Sequence, residues 1–270
     1  MDAVRSLPRR FSEARLDLEL LREPLSQSRW QRGLEQIVQI DIARPPRRSS
    51  ERFQLFPGAD DNRIEVLGVD APRRQLVLFV QESRRAFTTT ISRAQPVPKG
   101  VRVVGETKTS RTIEQFTEPE KRHFLCGMDE QHYFIAQLPY GVSSVHGARD
   151  ALRAPEVPPS LHVRGSQIIR QGEWFFMPAS ARDRAAIEVA LRARKVQRDI
   201  GIAQAARLNR AGRPHVADEV VVTTEGSEVR IYVRGDVRHP DHRTVTLREF
   251  HRTVPNRERF TQPAGVYWVD

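Results

Sequence analysis

Residues 52–69, RFQLFPGADDNRIEVLGV, decide the fold class of this chain. Apolar and polar side chains alternate in Arg52–Phe56 and again in Arg63–Val69, and a period of two is typical of strands. The intervening residues 57–62, PGADDN, contain the proline, glycine, aspartate and asparagine that favour turns. The segment therefore predicts a β-hairpin.

The same pattern continues along the chain on the C-terminal side of this hairpin. Short runs rich in β-branched and aromatic residues, separated by turn-forming residues, predict further strands. They are residues 75–81, 86–92, 101–104, 123–126, 132–138, 219–222, 228–233, 244–247 and 265–269. Because short turns join consecutive strands, we expect an antiparallel meander rather than parallel crossover units.

Helical spacing of apolar residues is strongest near the N-terminus. Phe11, Leu18, Leu21 and Leu25 predict a first helix that Pro24 ends or kinks. A second helix is predicted from a Ser28 cap and a stripe of apolar residues, namely Trp30, Leu34, Ile37 and Val38. Shorter helices are expected over residues 145–152 and 182–196. The predicted fold class is α+β, with N-terminal helices followed by a mainly antiparallel β body and a few short helices.

Two polar, proline-bearing stretches, residues 43–51 and 155–160, are candidate boundaries. They predict an N-terminal helical segment (1–43), an antiparallel β-rich region (52–160) and a C-terminal α+β region with a histidine-rich hairpin (161–270).

The composition restricts the class of protein. Cys126 is the one cysteine, which excludes an internally disulfide-stapled scaffold, and its apolar neighbours favour a core position over a catalytic thiol. The first 25 residues are charged and lack the apolar centre of a secretory signal, and no run approaches the roughly 20 apolar residues of a transmembrane helix. We expect a cytoplasmic protein with no membrane partner.

The histidines of the C-terminal region form the principal candidate site. His215, His239, His242 and His251 are predicted to converge on a divalent metal such as zinc, because imidazole is a common zinc ligand. Pro240 and Asp241 fit the centre of a tight turn, so His239 and His242 would face each other across a hairpin. A turn of this kind needs no metal, and that alternative stays open. Acid–base chemistry on a phosphate diester is a second alternative, and Asp218 is a further candidate member of the site.

A basic composition indicates an anionic partner. The formal net charge is +10, and forty of the 44 basic residues are arginine. Arginines beside aromatic residues suit nucleic acid, and the candidate contacts are Arg170, Trp174, Arg234, Arg238 and Arg243. The aromatic cluster around Trp174 fits a buried strand equally, and arginine excess also arises from genome composition.

Three segments, residues 124–132 (FLCGMDEQH), 170–176 (RQGEWFF) and 233–242 (VRGDVRHPDH), resemble a family of uncharacterised bacterial proteins. The resemblance covers about the last 150 residues. It implies a bacterial origin and one continuous C-terminal unit, and it carries no activity to this chain.

Three functional hypotheses follow from the sequence. The first is a nucleic-acid-associated bacterial protein within a multi-protein system. The second is a non-catalytic interaction module that binds an acidic protein partner. The third is a metal-dependent enzyme that uses the C-terminal histidines. The sequence contains no glycine-rich phosphate loop and no dinucleotide fingerprint.

Overall fold

The protein is mostly β, with 51% of the described residues in strands and 16% in helices. The computed structural model describes residues 2–25, 31–32, 34–44, 51–116, 119–130, 132–158, 167–208 and 213–258. Four α-helices lie within these residues: α1 Asp2–Glu13, α2 Val145–Leu152, α3 Ala181–Arg192 and α4 Ile202–Ala205. The predicted α+β class is therefore wrong, because the helices are few and small.

Seventeen strands account for most of the described chain. They are β1 Leu18–Leu20, β2 Gln31–Arg32, β3 Gln39–Ala43, β4 Arg52–Phe56, β5 Arg63–Asp70, β6 Gln75–Glu82, β7 Ala86–Ser92, β8 Arg102–Glu106, β9 Ser110–Phe116, β10 Glu120–Asp129, β11 His132–Gln137, β12 Ile169–Gln171, β13 Trp174–Pro178, β14 Val196–Gly201, β15 Val216–Glu225, β16 Glu228–His239 and β17 His242–Pro255.

These strands form four sheets, and their orders show which strands are hydrogen-bonded neighbours. The orders are β1-β4-β3, β11-β10-β6-β5, β2-β7-β9-β8 and β12-β13-β17-β16-β15-β14. Consecutive strands pair as antiparallel hairpins, as predicted, in β5–β6 and β16–β17, and β7 pairs antiparallel with β9. By contrast, β1 and β4 pair in parallel.

The predicted N-terminal helical segment 1–43 is also wrong. One helix, α1, is present, but it ends at Glu13, and Leu18–Leu20 then joins the edge of β4 as a strand. The second predicted helix is replaced by a 3₁₀ turn over Leu34–Gln36 and by β3, which pairs with β4. Pairing with a buried strand outweighs a helix-compatible spacing of only four apolar residues. Ser28, Trp30 and the predicted strand 265–269 lie outside the described residues.

The described residues separate into two compact units. The first contains residues up to Met128 together with Tyr133–Ala148, and the second contains Asp129–His132 and the residues from Arg149 onward. These divisions differ from the predicted boundaries at 43–51 and 155–160. None of the described helices has the length and apolar character needed to cross a membrane.

The core of the first unit packs α1 against the strands. Phe11 meets Phe53 edge-on at 5.4 Å, and Phe53 stacks on Tyr133 at 4.8 Å. Cys126 belongs to this core and is fully buried, and burial raises the pKa of its thiol. A buried neutral thiol is unreactive, so the thiol-site alternative is not supported.

The core of the second unit lies on the six-stranded sheet. Trp174, Phe176, Val220 and Val233 are all buried within it. The histidines lie at the ends of strands of this same sheet: His239 ends β16, His242 begins β17 and His215 directly precedes β15.

Candidate metal centre

His239 and His242 face each other across a two-residue turn, as the sequence predicts. They are cross-strand partners at the end of β16 and the start of β17, with Pro240 and Asp241 between them. The backbone N–H of Asp241 donates to His239 Nδ1 at 3.1 Å. His239 Nε2 therefore carries the ring proton, and it lies 3.2 Å from the Arg213 carbonyl oxygen.

His215 joins this pair from the neighbouring strand. It directly precedes β15, and the pairing of Val216 with Arg238 places it beside His239. The His215 and His239 rings stack at 4.2 Å with an 18° angle, and the His215 and His242 ring centres are 5.5 Å apart. One ring nitrogen from each of the three histidines lies within 4.8 Å of the others.

Several nitrogens in this cluster are buried without a hydrogen bond. His215 is 3% exposed, and neither of its ring nitrogens forms a hydrogen bond among the described residues. His242 Nδ1 is also buried and forms no hydrogen bond among the described residues. Each buried unsatisfied polar atom costs about 1–3 kcal/mol. A ligand bound at these nitrogens would offset that cost.

The backbone of Gly172 closes one side of the cluster. Gly172 occupies the turn between β12 and β13 with φ +55°, a conformation that favours glycine. A Cβ at this position would lie 2.8 Å from His242 Nε2 and 3.1 Å from His215 Nε2. Gly172 therefore packs so closely against the His215 and His242 rings that a side chain at this position would collide with both.

Gln171 fastens this turn to the strands that carry the histidines. Its side-chain amide donates to the Val237 carbonyl at 3.2 Å and to the Arg243 carbonyl at 2.6 Å. Gln171 is 2% exposed, so both bonds are shielded from water. The position of Gly172 over the rings is thus held by β16 and β17 themselves.

Glu173 lies on the other side of the His215 ring. Its Oε1 is 3.4 Å from His215 Nδ1, while His215 Nε2 faces Gly172. A carboxylate beside the second nitrogen of a metal-binding histidine fixes the tautomer and orients the ring. The two nitrogens of His215 therefore have different neighbours: the Glu173 carboxylate at Nδ1 and the Gly172 backbone near Nε2.

The surroundings favour neutral imidazoles. Burial, with a smaller contribution from His215 and His242, lowers the pKa of His239 to about 4. Burial also lowers the pKa of His242, although Asp129 and Glu130 act in the opposite direction. Neutral imidazole is the form that binds metals, so these two rings are in the ligand state at neutral pH.

Two predicted members of the site lie elsewhere. His251 pairs with Val233 and Pro178 in the sheet, its Nδ1 is 2.8 Å from the Glu249 carbonyl oxygen, and it is not part of the cluster. Asp218 accepts the Asp236 backbone N–H at 2.8 Å and an Arg238 bond. Neither prediction allowed for the strand pairing, which directs these side chains away from the histidines.

Three residues of the site were missed from the sequence: Gln171, Gly172 and Glu173. The signal was a turn-forming Gly-Glu pair between two apolar strands. Its position over the histidines depends on the pairing of β13 with β17, which joins segments about eighty residues apart and is not readable locally.

The predicted nucleic-acid contacts do not form a shared surface of available groups. Trp174 is 1% exposed, so its ring face is not accessible to a base. Three of the arginines form ion pairs, Arg170 with Asp129, Arg234 with Glu219, and Arg238 with Asp218 and Asp199. Arg243 is exposed, and its backbone N–H donates to Glu130 at 2.9 Å.

Comparisons of the chain with family models, with curated proteins and with solved structures find no match. The geometry of the site therefore carries the functional proposal.

Proposed function

We propose that the second unit binds one divalent transition-metal ion, with zinc as the expected occupant, through His215, His239 and His242. The observation that carries the proposal is the convergence of three ring nitrogens within 4.8 Å. Three imidazoles from separate strand ends make a ligand set that zinc readily accepts.

The candidate nitrogens lie near the separation that a metal ion requires, and the stacked rings of His215 and His239 must also tilt so that both nitrogens point at the ion. A Zn–N bond is about 2.1 Å, so two nitrogens in a tetrahedral site are about 3.4 Å apart. The most separated pair of candidate nitrogens would approach by about 1–1.4 Å, which small side-chain rotations can supply. The metal would then give one buried nitrogen of His215 a partner, with Glu173 beside the other nitrogen, Nδ1.

Three protein ligands leave a coordination position for water or substrate. That arrangement is typical of catalytic zinc sites, whereas structural sites use four protein ligands. A bound zinc ion supplies Lewis acidity and lowers the pKa of its water. The proposal is thus a metal centre with an open position, of the type that supports metal-dependent enzymes.

His239 is expected to contribute the least to zinc affinity among the three ligands. Its Nδ1 accepts the Asp241 N–H and its Nε2 donates to the Arg213 carbonyl oxygen. Binding through either nitrogen gives up one of these bonds. His215 and His242 have nitrogens that need no such exchange.

Titration calorimetry of chelator-treated protein with zinc tests the proposal. We expect about one zinc per chain, and about 100-fold weaker binding or more after His215→Ala or His242→Ala. His251→Ala is the matched control, because it removes a histidine of the same sheet that lies outside the cluster. A wild type that binds no zinc would refute the proposal, as would equal losses in His251→Ala and His242→Ala.

A further inference from the structure

Within the described part of the chain, one face of the sheet β2-β7-β9-β8 in the first unit carries no buried side chain. Phe87 of β7 and Ile113 of β9 are buried on one face of this sheet. Side chains alternate between the two faces along a strand, so Phe116 and Glu114 of β9 lie on the other face. The open face carries Ala86, Thr88, Thr90 and Ser92 of β7, Ser110, Thr112, Glu114 and Phe116 of β9, and Arg102 of β8. All nine are exposed or half-buried.

An exposed aromatic ring lies at one end of this open face. Phe116 is 46% exposed, and the Arg84 guanidinium lies over its ring at 4.4 Å from the centroid. A large apolar side chain on a hydroxyl-rich face is not explained by packing. A ring supported by a guanidinium is the arrangement that stacks on a nucleobase.

Cations without an ion pair among the described residues lie on this face and in the segments next to it. Arg102 lies on the same face, since it is the register partner of Glu114, which is two residues from Phe116. Arg84, Lys99 and Arg102 are exposed and form no ion pair among the described residues. Residues 84–116 contain seven basic and two acidic residues, and one of the two, Glu106, already binds Arg93 and Arg111.

We propose that this open face binds single-stranded nucleic acid, with a base on Phe116 and phosphates on Arg84, Arg102 and Lys99. The hydroxyls of Thr88, Thr90 and Thr112 supply hydrogen bonds to bases or sugars. A single strand is favoured over a duplex, because only unstacked bases present a face to an aromatic ring. An acidic polypeptide would use the cations and leave the exposed ring without a role.

Fluorescence anisotropy with labelled oligo(dT) and oligo(U) of 20 nucleotides tests the inference on the full chain at low salt. We expect binding that weakens as salt rises, and a preference over a duplex of equal length. Phe116→Ala should weaken binding about 10-fold, in the range of a lost base stack. The double variant Arg84→Ala/Arg102→Ala should weaken it similarly and reduce the salt dependence.

Two matched controls separate this surface from general charge or hydrophobicity. Tyr140→Ala removes another exposed aromatic ring outside the sheet, and Arg248→Ala removes an exposed arginine of the second unit. Both should bind like the wild type. Absence of binding, equal losses in the controls, tighter duplex binding, or displacement of the oligonucleotide by equimolar polyglutamate would each overturn the inference. Chelator should leave binding unchanged, so this test does not depend on the metal centre.

Discussion

Two turns of the six-stranded sheet hold a glycine in the same left-handed conformation but in different surroundings. Gly172 between β12 and β13 has φ +55°, and Gly226 between β15 and β16 has φ +60°. A Cβ at 172 would lie 2.8 Å from His242 Nε2, whereas a Cβ at 226 meets no atom within 4 Å. Backbone conformation explains both glycines, but only at 172 would a side chain also collide with histidine rings.

Alanine at these two positions gives the largest expected difference. Gly172→Ala and Gly226→Ala should each destabilise the fold by about 1–2 kcal/mol, because alanine disfavours positive φ. Only Gly172→Ala should also weaken zinc binding, by about 100-fold, because its methyl group would collide with the His215 and His242 rings and displace two of the three ligands. Calorimetric titration and urea unfolding of both variants measure the two effects. Equal zinc affinities in the two variants would show that the close approach of residue 172 to the rings does not matter for metal binding.

Glu173, the neighbour of Gly172 in the same turn, should have an intermediate effect. We expect Glu173→Ala to weaken zinc binding by about 10-fold, because the carboxylate beside His215 Nδ1 no longer orients the ring. Glu156→Ala removes an exposed acidic residue of the same unit and should leave the affinity unchanged. A loss of similar size in both variants would indicate a general effect of negative charge.

His239 should contribute less than the other two histidines. His239→Ala should weaken zinc binding by about 10-fold, less than His242→Ala, because wild-type His239 must give up a bond to Asp241 or Arg213 to bind. Competition with a chromophoric chelator measures the ranking. A larger loss in His239→Ala than in His242→Ala would show that metal binding does not cost His239 its bond to Asp241 or Arg213.

The smallest expected effect is a dependence of stability on pH without metal. Unfolded His239 binds a proton near pH 6.5, whereas the folded residue has a pKa of about 4. Between these values the unfolded state binds more protons, so the free energy of unfolding falls as the pH falls from 6.5 to 4. Because the ring is partly exposed, we expect His239 to account for about 1 kcal/mol of this loss.

Urea unfolding of chelator-treated protein at pH 7, 6, 5 and 4.5 measures that loss. In His239→Ala it should be smaller than in the wild type by the same amount. Identical pH profiles would show that the ring is not held neutral by burial.

The hairpins were predictable from the sequence because their signals are local. Arg52–Phe56 and Ala86–Ser92 form strands over the predicted residues, and the turn at Pro240-Asp241 pairs His239 with His242 as expected. Alternation and turn chemistry act within a few residues, so they are visible without tertiary information. The helix α2 is also found over residues 145–152.

The other elements could not be predicted because they depend on pairing between segments that are far apart in the sequence. Leu18–Leu20 and Gln39–Ala43 are strands because both join β4, and no local pattern specifies that edge. The choice of His215 over His251 follows from register: Val216 pairs with Arg238, whereas His251 pairs with Val233 near the middle of the sheet. Imidazoles that look equivalent in the sequence are separated by strand register alone.

Zinc-edge X-ray absorption of the zinc-loaded protein tests the central claim most directly. We expect a first shell with three histidine nitrogens at about 2.0–2.1 Å and one additional light ligand. The imidazole signal should fall in His215→Ala and be unchanged in His251→Ala. A shell of oxygen ligands without imidazole scattering, or a wild-type spectrum retained in His215→Ala, would contradict a metal centre at His215, His239 and His242.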